Sequence, residues 1–245
     1  FGGATQIFRS VGFGQTTAVD DDNSHADTIT ISGSSATFSA SVADNVGIGD
    51  IILYDSNDSN TLTADDTIVF IHGRTSGQEF TLRNHDGSIH TGTASGNDTW
   101  AIYRAHTSLA NAEAGTVNST LSALSFSYNG GNRDISAATG NNEQWNIVCY
   151  ADATDTSNTL FDGWTTGPDN YIKVYTPVSA SETGTTQRHD GTAGSGYVID
   201  PSSSDAHAIE VDDDNVYIEG LRITGVSGSS REGVRASGDN TRVSH

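Results

Sequence analysis

The apolar residues fall in short runs, each bounded by Asp, Asn, Gly or Ser: Thr28–Ile31, Ile51–Tyr54, Thr67–Ile71, Trp145–Tyr150, Tyr171–Tyr175 and Val216–Ile218. Short runs rich in Ile, Val and aromatic residues with turn chemistry at both ends predict strands. Ile and Val outnumber Leu, as suits branched side chains on a pleated, half-buried surface. Residues 1–14 alternate in the same way, with Ile7, Val11 and Phe13 on one face and Phe8 on the other. Between residues 28 and 106 the spacing is that of hairpins, with Ser32–Ser35 and Asn84–Gly87 as turns, the second carrying the Asp-Gly signal. Ser108–Gly115 is a helical stretch with a hydroxyl at its start and Gly at its end, too short for a core and suited to capping or joining. From about residue 140 the intervals lengthen. Asp169-Asn170, Asp214-Asn215 and Asp239-Asn240 each stand just before a strand, and the last two pairs are 25 residues apart. That is the rung length of a β-solenoid, in which Asn and Asp occupy the corners.

The hairpin cadence of the first half predicts an Ig-like sandwich or small barrel. In the second half, Trp145–Asp152, Gly163–Pro177 and Asp214–Gly225 together resemble the start of a right-handed parallel β-helix, as found in secreted bacterial and phage surface proteins. The whole chain also resembles uncharacterised extracellular proteins of environmental bacteria, through Phe70–Ser76 and Thr99–Arg104. The expected fold class is therefore all-β: an N-terminal Ig-like β-sandwich followed by a short right-handed parallel β-helix. The expected division is an extended strand at 1–14, the sandwich at 15–125 and the parallel β-helix at 126–245.

Composition narrows the function. Asp and Glu number 31 against 11 Lys and Arg, a formal charge of −20, and Lys173 is the single lysine. Such a chain cannot build the large basic face that displaces counterions from nucleic acid. No apolar run reaches the length of a membrane span. One cysteine excludes an internal disulfide framework, and Cys149, within Asn146–Tyr150, reads as a small buried hydrophobe. Without any Met, Phe1 is not expected to be a translation start, and the natural chain is expected to extend beyond His245. The acidic, Ser- and Thr-rich composition suits a secreted protein of the cell surface.

The chemistry-bearing motifs are few. Asp55, Asn57, Asp58 and Asn60, with Asp65 and Asp66, alternate carboxylates and amides on one loop, the oxygen-rich pattern that a hard cation such as Ca²⁺ requires. Neither the Gly nor the closing Glu of an EF-hand is present. Asn57, Asn97 and Asn118 begin Asn-x-Ser/Thr triplets and are candidate glycosylation sites. Asp200, Asp205, His207, Glu210 and Asp212 are the best local cluster for polysaccharide cleavage, but carboxylates at this density are expected from composition, and no catalytic residue is assigned. Trp100, Trp145 and Trp164 are read as core, with a sugar-stacking platform as the alternative. Ile7, Phe8, Val11 and Phe13 form an apolar strand on a flexible acidic tether, able to complete the sheet of a neighbouring copy. The expected function is an extracellular structural protein, the protomer of a head-to-tail fibre assembled by strand donation. The alternative is a glycan-binding or glycan-cleaving β-helix module of an adhesin or phage tailspike.

Overall fold

The computed structural model describes residues 3–22, 25–57, 59–97, 99–128, 132–201, 207–226 and 232–244. The first alternating run becomes β1 (Thr5–Gly12). There follow β2 (Asp20–Asp21), β3 (Ile29–Ser32), β4 (Ser35–Phe38), β5 (Ile51–Tyr54), β6 (Thr67–Arg74), β7 (Glu79–Arg83), β8 (Thr93–Asn97) and β9 (Trp100–Tyr103). Two short helices, α1 (Leu109–Ala114) and α2 (Ser119–Ala123), lead to β10 (Glu143–Tyr150). The later strands are β11 (Thr159–Phe161), β12 (Ile172–Tyr175), β13 (Val198–Ile199) and β14 (Ile209–Val211). After them come β15 (Val216–Glu219), β16 (Arg222–Ile223), β17 (Val234–Ala236) and β18 (Arg242–Ser244). Among the described residues the protein is thus mostly β, as expected.

Among the described residues, the second half forms three parallel sheets that recur in a fixed order along the chain. One runs β1-β10-β12-β15-β18, a second β11-β14-β17 and a third β13-β16. The 25-residue interval seen in the sequence is the register itself, pairing Ile218 with Val243 and Ile209 with Val234. Period-2 alternation sends Trp145, Ile172 and Val216, then Ile147, Val174 and Ile218, into one buried core. Each turn of chain therefore needs only a few β-branched residues, which is how a polar composition sustains a packed interior. The Asp-Asn pairs stand at the corners. Asn215 and Asn240 of these pairs, and Asn142 at an earlier corner, have φ of 55°, in the left-handed region that Asn tolerates. Their side chains add a ladder: Asn170 Nδ2 donates to Asn142 Oδ1 at 3.0 Å, and Asn240 Nδ2 to Asn215 Oδ1 at 2.8 Å.

Strands β2 to β9 hydrogen-bond as one antiparallel sheet in the order β2-β9-β5-β6-β7-β4-β3-β8. Its inward positions on β3, β4, β5, β6, β7 and β9 gather into a single core, in which Phe38 meets Phe80 and Trp100 edge-on at 5.7 and 4.8 Å. The opposite face of β5 and β6 buries Ile51, Leu53 and Phe70 against Ala105, Leu121 and Tyr128. The helical stretch acts as a cap. Ser108 accepts the Asn111 amide, Gly115 closes α1 with φ of 72°, and Leu109 and Ala112 enter the core of the parallel stack.

The division of the chain differs from expectation in one respect. β1 is not a separate arm in this structure. It pairs with β10 over its whole length, so the antiparallel head is inserted between the first two strands of a parallel sheet. Sequence spacing could not show this, because the two partners lie on either side of more than a hundred residues of unrelated pattern.

Candidate functional site: the strand slot and the buried seam

β1 lies in a slot bonded along both edges. On one side the parallel register runs from Thr5 opposite Glu143 to Gly12 opposite Tyr150. On the other side the Ser10 amide donates to the Gly49 carbonyl at 3.0 Å, the His106 amide to the Ser10 carbonyl at 3.0 Å, and the Gly12 amide to the His106 carbonyl at 3.1 Å. Two glycines permit the close approach. Gly49 has φ of 87°, and a Cβ there would stand 2.7 Å from the Ser10 nitrogen. A Cβ on Gly12 would fall 2.0 Å from Asp152 Oδ2 and 2.9 Å from Arg104 Cγ. Of the predicted assembly residues, Ile7 and Val11 are buried in the stack core. Phe8 is half-buried against Ile48, Val148 and Tyr150, edge-on to His72 at 5.0 Å. Phe13 follows the strand and is half-exposed.

Two arginines lock the seam between head and stack. Arg9 alternates with Ile7 and Val11, and its guanidinium ends 4.0 Å above the Phe70 ring. Its Nη1 donates to the Phe8 carbonyl at 2.9 Å and its Nη2 to the His85 carbonyl at 2.5 Å. Burial lowers its pKa to about 10, against the pull of Tyr128, Glu143 and Asp86, so it stays charged at neutral pH. Beside it opens a cleft of about 130 Å³ rimmed by His85, Asp86, Asn132, Asn141 and Glu143.

Arg104, from the residue after β9, is fully buried. Its Nη1 donates to both Asp50 oxygens at 2.8 Å, its Nε to Asp152 Oδ2 at 2.7 Å and its Nη2 to Asp152 Oδ1 at 2.9 Å. The guanidinium lies 3.7 Å over the Tyr150 ring, whose hydroxyl donates to the Ile48 carbonyl at 2.9 Å. Burial alone would push this guanidinium down, but Asp50 and Asp152 outweigh it and hold the proton more firmly than in a free arginine. The cluster joins the head (Asp50, Arg104) to the stack (Tyr150, Asp152).

The predicted cation loop has a different internal logic. Asp55 is buried, and its two oxygens accept the Asn57 and Asn60 amides at 3.0 and 2.6 Å. Asp66 accepts the Ser56 and Thr63 amides at 3.1 and 2.6 Å. These carboxylates fold the loop by bonding its own main chain. Asn57, Asn60 and Asp65 stand exposed, and Asp58 lies outside the described residues. No three His, Cys, Asp or Glu side chains converge as a metal-binding set among the described residues. Replacing Asp55 by alanine should therefore cost about 1–2 kcal/mol, equally with calcium and with EDTA, because two part-buried loop amides lose their acceptor. A wild-type melting temperature that rises with calcium, and a variant whose melting temperature does not, would restore the cation role.

The sequons separate cleanly. Asn57 is exposed, Asn97 ends β8 with a side chain outside the described residues, and Asn118 is fully buried. Asn118 Nδ2 donates to the Gln15 and Arg104 carbonyls, both at 3.0 Å, and Oδ1 caps α2 through the Thr120 amide. Its amide nitrogen is committed to the fold and is closed to a glycan. The candidate cleavage cluster disperses as well: Glu210 meets Arg235 at 2.7 Å, Asp212 accepts the Ser237 hydroxyl, and Asp200 accepts Thr224 Oγ1 at 3.1 Å. Asp205 lies outside the described residues. Trp100 and Trp145 are core, and half-buried Trp164 packs edge-on to Trp145 at 5.2 Å.

No protein-family model, curated protein or solved structure matches the chain. The residues that sequence reasoning missed are Arg9, Asp50, Arg104 and Asp152. Two signals pointed to them: a cation inside an otherwise apolar alternation, and an arginine directly after the apolar run Trp100–Tyr103 in a chain so poor in bases.

Proposed function

We propose that the protein is a structural subunit of an extracellular surface fibre. In this reading it is a sandwich-like head on the first rungs of a right-handed parallel β-helix, and subunits join when β1 of one copy fills the slot of the next. The handedness follows from the near-universal right-handed crossover between parallel strands. The observation that carries the assembly reading is the slot itself: eight residues of register on one edge, main-chain bonds on the other, and entry through the Gly14–Val19 connection. That connection is largely exposed or half-exposed, and Gly14 has φ of 71° with open space around it. A strand in such a slot can be exchanged between copies with the same contacts. A one-way exchange does not close on itself and so propagates as a filament. The acidic, Ser- and Thr-rich composition with a single lysine supports a setting outside the cell.

The test uses Gln6 and Gln144, neighbours in register whose side chains meet at 3.4 Å on the outer face. Changing both to cysteine and oxidising the assembled protein should give a covalent ladder on non-reducing gels. An oxidised product that is entirely monomeric, or a full-length protein that stays monomeric at every concentration, overturns the assembly reading.

A further inference from the structure

β1 breaks its own apolar pattern at one inward position. Ile7 and Val11 enter the stack core, and between them stands Arg9, only 2 % exposed. The groups that receive its guanidinium come from both bodies of the molecule. The Phe70 and Tyr128 rings lie 4.0 and 5.9 Å from the guanidinium carbon, and Trp145 of β10 lies at 5.5 Å. The carbonyls of His85 and Tyr128 accept from Nη2 at 2.5 and 3.3 Å. Aromatic faces and main-chain carbonyls together suit a flat, delocalised cation with several fixed donors. All of these groups lie outside β1, so they belong to the slot and meet whichever strand fills it.

Three residues further on, the slot makes a second demand. A Cβ at Gly12 would fall 2.0 Å from Asp152 Oδ2, so the strand needs glycine there. Between the two, Ser10 is fully buried and its Oγ accepts the Ala105 amide at 2.9 Å. Arginine and glycine together fix the register. A slip of one residue turns Arg9 to the opposite face. A slip of two that brings Gly14 to the Gly12 position satisfies the glycine rule, but drops Arg9 onto the place of Ile7 in the stack core. The opposite slip sets the Ser10 Cβ against Asp152 and moves Arg9 onto the place of Val11. In either place a guanidinium would be desolvated among apolar side chains.

We propose that Arg9 is the specificity-determining residue of strand donation: the slot accepts a β-strand from a second copy by reading an arginine three residues ahead of a glycine. The inference rests on the assembly reading above and adds to it what the partner strand must carry. Main-chain bonds hold any extended segment, and side-chain pockets decide which one. An apolar strand that lacks the arginine leaves the His85 and Tyr128 carbonyls without their charged donor, so selection works against strands that are merely hydrophobic.

The test splits the Gln6–Gln144 pair between two full-length copies. A donor copy carries Gln6→Cys, an acceptor copy carries Gln144→Cys, and one is isotope-labelled so that intact mass identifies the mixed disulfide. The two are unfolded together, refolded at high concentration and then oxidised, so that the donor's β1 competes with the acceptor's own for one slot. Arg9→Met in the donor alone should lower the mixed adduct about tenfold, and Arg9→Lys should lower it less. Arg9→Met in the acceptor alone should raise the adduct toward one per acceptor, because the acceptor's own strand is then the weaker competitor. A variant that only folded badly would lose adduct in both placements. An adduct unchanged by Arg9→Met in the donor, or lowered by it in both placements, overturns the inference and leaves the fibre reading standing. No adduct when Arg9 is intact in both copies overturns the fibre reading and this inference with it.

Discussion

Replacing Arg104 by leucine is expected to lower the unfolding free energy by about 4 kcal/mol, among the largest effects of any single side chain here. The reason is the company it leaves behind. Asp50 is fully buried and Asp152 nearly so, and each has its carboxylate against this guanidinium. Removing the cation strands two negative charges in a site with little water, a far greater cost than the loss of a surface ion pair. Lysine should recover only part of the loss, because one ammonium cannot satisfy both carboxylates in the planar geometry of the guanidinium. A second change separates charge from packing: Asp50→Asn in the Arg104→Leu background should return about 1–2 kcal/mol. Urea denaturation of the four proteins reads all these values. An Arg104→Leu protein within 1 kcal/mol of wild type would mean that the seam is held by its apolar contacts alone.

The second large effect is a response to acid. His106 is fully buried beside β1, its Nδ1 directed at the Thr116 carbonyl at 2.7 Å and its ring edge-on to Tyr128 at 6.0 Å. Burial pushes its pKa down to about 4; the Thr116 carbonyl opposes the shift and the Arg9 charge adds to it. In the unfolded chain the imidazole titrates at its ordinary value, near 6.5. Between these values the unfolded state binds a proton that the folded state refuses. The stabilisation is therefore complete above pH ~6.5 and is lost as pH falls toward 4, by about 3 kcal/mol in total. His106→Asn can still donate to Thr116 but takes up no proton. Its stability should fall less than that of wild type between pH 7 and 4.5, whatever the carboxylates contribute to both. Parallel slopes for the two proteins would show that His106 titrates normally.

The legibility of the sequence followed the range of the interaction. Strands with local punctuation were visible, because Asp-Asn corners and β-branched alternation are written within a few residues of each other. The 25-residue step was visible for the same reason, since Asp214-Asn215 and Asp239-Asn240 recur in identical form. The place of β1 was not. Its apolar pattern is compatible with any sheet, and its partner β10 carries nothing that marks it as complementary. Arg104 and Asp152 were hidden by the same distance, since a buried ion pair looks in sequence like two surface charges. The acidic loop was legible only in part. Asp55 and Asp66 have the composition of a cation site, but composition does not reveal that each also holds two amides of its own loop.

The insertion of the head into the stack also sets the order in which the molecule can fold. β1 is made before the head, and the Gln6–Gln144 contact spans 138 residues, a separation that slows pairing through loop-closure entropy. The head has all its strand partners within itself and can form earlier. Once formed, it brings His106 to the Gly12 amide and shortens the effective loop that remains to be closed. Until β10 emerges, β1 is a finished strand with half a slot. Dilution then favours closure within one chain, and crowding favours capture by a neighbour. If subunits join as proposed, the balance between monomer and fibre is a kinetic competition, decided by how fast residues 107–142 are delivered.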